Sequence, residues 1–291
     1  MNNVKLKYTA FIDILGFSNY ISNHITNDIE AKFFYESINN KLIEYFQYIK
    51  FSRDKFTVDE EFNNNIFIDY TWISDTFVIT IEYSGKNKNK NTAGIMIFIL
   101  TMAISNIYHF FAKEYNLLLR GAISSKYTFI NDKVLLGKGI SEAAKLEKEI
   151  AIYPRVIFAD DIITQDIMKS ISLHHNDNNL NIISKDCDGY YFINYIGALQ
   201  DLPPMINISN KKNNGNSDKK IETEKLEMIK TYRQIAYNGI QNKNLSIRGK
   251  YKWLQNYIER LLPMDGKKHN MFAYNILSTT NQEKLKKTTT K

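Results

Sequence analysis

A single cysteine, Cys187, is present among 291 residues. An intramolecular disulfide is therefore excluded, and a thiolate metal cluster would need several chains. This thiol usage suits a reducing cytosol. No His or Asn arrangement surrounds Cys187 in sequence, which argues against a nucleophile there. Histidines number five, and the pair His174 and His175 sits in an Asn/Asp-rich stretch with no third ligand nearby, so a zinc site is not expected. No period of repeating sequence is visible, which excludes a solenoid or propeller. Long apolar runs are scarce. Only residues 94–111 approach the length of a membrane span, and Thr101, Ser105, Asn106 and His109 interrupt them at helical spacing. A buried or interface helix is expected there rather than a span. Residues 1–7 are polar and lead into an apolar stretch too short for a secretory leader, so a cytoplasmic protein is expected. Aromatic residues are missing among the lysines of residues 211–220, which removes a base-stacking platform and with it the expectation of nucleic-acid binding.

The residues that are present describe an ordinary globular chain. Apolar residues make up 44% and charged residues 24%, which excludes a mainly disordered or fibrous protein. Lys plus Arg is 38 and Asp plus Glu is 31, so the formal charge is 38 − 31 = +7. Such a balance favours anionic partners without choosing among them. Much of the excess sits in residues 211–220 and 284–291.

Residues 7–14 are rich in β-branched and aromatic types and predict a strand ended by Gly16. Residues 29–49 carry apolar side chains at three- and four-residue steps and predict a helix. Residues 66–70 and 77–83 predict a hairpin whose connection holds Ser74 and Asp75. A helix over 92–115, a strand over 117–125 and a short hairpin over 127–136 follow. Further on, a helix is expected over 139–149, a strand over 153–158, a helix over 160–170 capped by Asp160 or Asp161, and short strands over 181–184 and 189–195. Pro203, Pro204 and the polar run 209–220 mark a break. Two amphipathic helices lie beyond it, over 222–239 and 246–262, with Leu226, Ile229, Ala236 and Ile240 on one face of the first. The order predicts an α+β fold with helices on one face of a sheet. It also predicts a body over 1–204, a linker over 205–220, a helical appendix over 221–280 and a fraying tail over 281–291.

Two carboxylates stand out. Asp13 lies inside an otherwise apolar run, where a carboxylate costs several kcal/mol unless paired. Asp75 lies at a turn before a strongly apolar strand. If those strands are neighbours, the acids meet, and a divalent cation would remove their repulsion. The alternatives are a turn cap for Asp13 and a plain hairpin role for Asp75. Arg120 interrupts an apolar strand and either binds an anion such as phosphate or pairs with a carboxylate such as Asp13. Gly137 and Gly139 open a helix that carries Lys138 and Lys145, and whose first turn could face an anion or simply lie solvated.

Taken in order, five segments resemble the class III nucleotidyl cyclases, and more closely the bacterial anti-phage pyrimidine cyclases of Pycsar systems. They are Phe11-Ile12-Asp13-Ile14-Leu15-Gly16-Phe17, Ile73-Ser74-Asp75-Thr76, Leu119-Arg120-Gly121-Ala122-Ile123, the helix from Gly139 to Glu147, and Tyr153-Pro154-Arg155-Val156. The resemblance spans a little over half of the chain. It implies a ferredoxin-like βαββαβ cyclase core with an added hairpin and a C-terminal helical appendix. It also implies a homodimer with its sites at the subunit interface, and cyclisation of UTP or CTP to a 3′,5′-cyclic monophosphate read by a separate effector. Asp13 and Asp75 would hold two Mn²⁺ or Mg²⁺ ions, with the backbone carbonyl of Ile14. Purine-specific relatives carry an Asn and an Arg where this chain has Ser141 and Lys145, so Lys145 would bring charge to the α-phosphate without the bidentate fork. They also carry a Lys and an Asp for base selection where this chain has Thr71 and Val134. Phe11, Tyr70, Thr71 and Trp72 are the expected nucleotide-contacting residues, with strand packing as the other reading of Tyr70, Thr71 and Trp72. A purine cyclase and a catalytically silent nucleotide-binding dimerisation module stay open as alternatives.

Overall fold

The computed structural model describes residues 6–51, 60–131, 134–174, 181–201 and 217–261. Pro203, Pro204, most of the polar run 209–220, the turn at Asp132, His175 and the expected tail from residue 281 lie outside the described residues. The elements in chain order are β1 (Lys7–Leu15), α1 (Phe17–His24), α2 (Asp28–Phe51), α3 (Glu60–Asn65), β2 (Ile66–Ile73), β3 (Thr76–Tyr83), α4 (Lys90–Tyr115), β4 (Leu118–Ser124), β5 (Phe129–Ile130), β6 (Leu135–Leu136), α5 (Lys138–Glu149), β7 (Val156–Phe158), α6 (Gln165–His174), β8 (Ile183–Lys185), β9 (Tyr191–Ile193), α7 (Tyr195–Asp201), α8 (Ser217–Ile240) and α9 (Leu245–Leu261).

One seven-stranded sheet runs in the order β2-β3-β1-β4-β7-β9-β8, and β5 pairs with β6 apart from it. The block β2-β3-β1-β4 is antiparallel throughout. With α2 and α4 as crossovers it forms a ferredoxin-like βαββαβ unit, so the protein is α+β. β7 extends the sheet in parallel to β4, and β9 and β8 close it antiparallel.

From Ala10 onward the strand β1 alternates. Ala10, Ile12 and Ile14 are buried toward the helices, while Phe11, Asp13 and Leu15 point to the other face and are only partly covered. On the helix-covered face, Phe77 of β3 meets Phe111 of α4, and the Tyr108 hydroxyl of α4 donates to the Leu119 carbonyl of β4. The expectation of helices on one face fails for α5. That helix packs on the opposite face against β1 and β4, burying the stripe Gly139, Ala143 and Glu147. Small residues at four-residue spacing let it lie close. Gly137, which starts it, holds φ +131°, and a Cβ there would sit 2.5 Å from the Tyr127 carbonyl oxygen.

The helix α4 is capped by Asn89, whose side chain accepts from the Thr92 N–H at 3.0 Å, and it ends on Asn116 at φ 54°. It is long and apolar enough to cross a membrane, but 94% of its most apolar stretch is buried inside the chain's own core. Apolarity all round a helix is what central burial requires. The helix α6 starts later than its sequence suggests, because Ile162 and Ile163 dip into the core and Thr164 accepts from the Ile167 N–H as the cap. In α2, Ile38, Leu42 and Phe46 are buried as the periodicity predicts, yet Ile29 and Phe33 project from its first turns into solvent. The buried stripe of α8 is Met228, Tyr232, Ile235 and Ala236 rather than one led by Leu226, which is exposed. With Leu254, Tyr257 and Ile258 of α9 it joins the same continuous core as the sheet.

Candidate functional site

The register of the sheet brings the two notable acids together. Asp13 stands opposite Thr76 on β3 and opposite Arg120 on β4. One residue on, the Ile14 N–H donates to the Asp75 carbonyl at 2.8 Å. Asp75 therefore sits in the two-residue turn between β2 and β3, beside the end of β1. Ser74 in that turn takes φ 57°, a left-handed conformation unusual outside glycine. The Trp72 indole Nε1–H donates to the Ser74 carbonyl at 2.6 Å and clamps the turn.

Arg120 joins this end of the sheet to α5. Its Nε donates to Asp13 Oδ2 at 2.7 Å, and its Nη2 lies 2.8 Å from Glu147 Oε1. The next residue must be glycine, since a Cβ on Gly121 would sit 2.3 Å from the Phe11 carbonyl oxygen. That close approach of β4 to β1 fixes Arg120 opposite Asp13. Burial foremost pushes the Glu147 carboxyl above the usual carboxylate range. The Arg120 and Lys250 charges oppose this, and the negative charges of Asp13 and Asp75 add to it. Lys250, on α9, is in turn held below the usual lysine range, first by burial and then by the Arg120 charge, against the pull of Asp13 and Glu147. Three carboxylates and two cations thus share one electrostatic neighbourhood.

Of the residues singled out in the sequence, Asp13, Asp75, Ile14 and Arg120 converge here, and Phe11 and Thr71 lie on the same sheet face as Asp13 by register. Tyr70 and Trp72 do not. They point to the helix-covered face, where the Tyr70 hydroxyl donates to Asn39 Oδ1 at 2.9 Å and its ring stacks on Phe46. Trp72 stacks on Phe77 and Tyr35. Strand pleating sends alternate residues to opposite faces, so these two rings pack the protein rather than a base. Ser141 and Lys145 occupy the outer face of α5. Lys145 is 70% exposed, with Glu149 at 3.9 Å as its ion-pair partner, and neither residue reaches the acidic pair of its own chain. Glu147 and Lys250 carried no role in the sequence reading. The stripe Gly139, Ala143 and Glu147 was the available signal for the first, and Lys250 had none.

Among the described residues, no group of three or more His, Cys, Asp and Glu side chains forms a ready metal cage. The donors offered at the strand ends are carboxylate oxygens, which fit a hard divalent cation such as Mg²⁺ or Mn²⁺ and do not fit a thiophilic metal. The fold and site define an α+β domain with an acidic pair at the strand ends of a split βαβ sheet. No protein-family model and no curated protein matches the chain. Among solved structures it is similar to the adenylyl cyclase CyaB from P. aeruginosa, at 13% identity and a TM-score of 0.36, over 65% of this chain and 93% of that one. It is similar to the same degree, over 65% of this chain and 96% of the other, to the non-canonical dimeric guanylyl cyclase domain of the RhoGC fusion protein from the aquatic fungus Blastocladiella emersonii. Likenesses this distant assign no activity.

Proposed function

We propose that this protein is a nucleotidyl cyclase that converts a pyrimidine nucleoside triphosphate, UTP or CTP, to the 3′,5′-cyclic monophosphate and pyrophosphate. The observation that carries this reading is the meeting of Asp13 and Asp75 at adjoining strand ends, tied by the Ile14–Asp75 backbone hydrogen bond. Asp13, Asp75 and the Ile14 carbonyl would hold two divalent ions, Mn²⁺ or Mg²⁺. Bound there, such ions supply Lewis acidity that eases deprotonation of the ribose 3′-hydroxyl and neutralises the triphosphate.

The chain's own residues do the rest. Arg120 holds the Asp13 carboxylate in place and keeps positive charge beside the phosphates. Phe11 and Thr71 line the sheet face over which the nucleoside would lie. Lys145 faces away from its own acidic pair, so its charge would serve the α-phosphate bound by a second copy. A homodimer is supported by apolar side chains left in solvent on that side of the sheet. Phe67 and Ile73 are 56% and 58% exposed on the Asp13 face, and Tyr127, Phe129 and Leu136 project from the β5–β6 hairpin. The pyrimidine choice rests on Thr71 and Val134 standing where purine-specific relatives carry a base-selecting Lys and Asp. The resemblance extends the reading to a cytoplasmic signal made during phage infection and read by a separate effector protein.

One observation favours a second reading, a catalytically silent module: Asp13 is already neutralised by Arg120. The two are separated by incubating the protein with each of the four common nucleoside triphosphates and Mn²⁺, then chromatography. A cyclic pyrimidine product is expected. A cyclic purine would reassign the substrate, and no cyclic product from any triphosphate would favour the silent module.

A further inference from the structure

We propose that Glu147 is a positioning residue that takes over the Arg120 guanidinium when a divalent cation claims the Asp13 carboxylate. The inference rests on the metal reading above and adds to it the fate of the charge already present. Arg120 is stretched between two acids on different elements. Its Nε end is on Asp13 of β1 and its Nη2 end is on Glu147 of α5. A cation arriving at Asp13 competes with Arg120 for the same oxygens. Expelled into an apolar strand with no acceptor, the guanidinium would oppose that arrival.

Glu147 offers the acceptor. Its side chain is only 8% exposed, in a helix whose neighbouring charges at Lys145, Lys148 and Glu149 are in solvent. A carboxylate so placed is costly unless a cation faces it. Its Oε1 lies within ion-pair distance of Arg120 but in alignment too poor for a hydrogen bond, so accepting capacity is left over. A small rotation of Arg120 would convert this shared contact into a two-point guanidinium–carboxylate pair. Lys250 of α9 stands in the same electrostatic neighbourhood.

The test is Mn²⁺ binding to the 291-residue chain without nucleotide, followed by calorimetry and by the electron paramagnetic resonance signal of free Mn²⁺. The variants are Asp13→Asn, Glu147→Gln and Glu147→Asp, with thermal unfolding to confirm that each folds. The wild type should bind saturably and Asp13→Asn should not. Both Glu147 variants should bind about tenfold more weakly, the order seen when a group supporting a ligand is lost. Glu147→Asp keeps the charge and withdraws it from Arg120, so wild-type affinity in that variant would show that only the charge matters and would overturn the proposal. Wild-type affinity in Glu147→Gln would overturn it too. If Glu147→Gln fails to fold, Glu147→Asp decides alone. If the wild type does not bind, or Asp13→Asn binds as well as it does, the metal assignment falls and takes this inference with it.

Discussion

Replacing Arg155 by methionine should unlatch α9 from the sheet. The Arg155 side chain, 1% exposed, pairs with Asp186 and Asp188 on the β8–β9 connection. Its guanidinium lies over the rings of Tyr153 and Trp253, at 5.6 Å and 5.8 Å from their centroids. Trp253 of α9 also donates its Nε1–H to Asp186 at 2.9 Å, and Arg260 reaches the same carboxylate at 3.7 Å. Burial works against ionising Asp186, yet the Cys187 N–H, the Arg155 charge and the Trp253 N–H together hold its carboxyl below the usual range. Removing one partner of a buried ion pair costs about 3–5 kcal/mol, because the other charge is stranded. The Trp253 and Arg260 contacts remain and methionine fills much of the volume, so about 3 kcal/mol is expected, a large share of the stability of an ordinary domain. Equilibrium urea unfolding followed by circular dichroism measures it. The double variant Arg155→Met/Asp186→Asn should recover part of the loss, since it no longer buries a lone carboxylate. A single variant within about 0.5 kcal/mol of wild type would refute this reasoning, as would a double variant that costs the full sum of the two singles.

Three further outcomes follow from the same geometry. Asp75→Ala should abolish cyclic product while leaving the proposed dimer intact by size-exclusion chromatography, with several kcal/mol added to the barrier; unchanged turnover would remove Asp75 from the site. Burial lowers the His109 imidazole from 6.5 to about 3, and its Nδ1 lies 2.9 Å from the Tyr232 hydroxyl. The unfolded chain therefore takes up the proton first, and stability that is full above pH 6.5 is lost as pH falls toward 3. Between pH 7 and 5 that loss should be about 2 kcal/mol, and the double variant His109→Phe/Tyr232→Phe should show a correspondingly flatter stability profile in calorimetry. Gly121→Ala should destabilise by about 2 kcal/mol as the new Cβ forces β4 from β1, and it should lower product formation by moving Arg120.

The sequence made the central sheet legible where its patterns were one-sided. β1, β3 and α4 declared themselves by length and composition, and the Ser74–Asp75 turn by its place between two apolar runs. β2 was legible as a strand but not in its facing, because apolar side chains occur in both of its alternating rows. Tyr70 and Trp72 share one row with Ile66 and Ile68, while Phe67 and Ile73 flank Asp69 and Thr71 in the other. Only pairing with β3 decides which row meets the helices. The side of the sheet taken by α5 was equally hidden, since half of its twelve positions are Lys or Glu and only the Gly139–Ala143–Glu147 stripe distinguishes a buried face. Lys250 comes to the acidic neighbourhood from more than a hundred residues downstream of Arg120, through the docking of α9, and no local spacing announces that.

The most direct test is a crystal structure of the protein with Mn²⁺ and a non-hydrolysable UTP or CTP analogue, collected at a wavelength where manganese scatters anomalously. Anomalous peaks are expected between the Asp13 and Asp75 carboxylates, with the triphosphate against them and Lys145 of the second copy near the α-phosphate. An analogue bound elsewhere, or an acidic pair that stays bridged by Arg120 with no anomalous signal at saturating Mn²⁺, would contradict it.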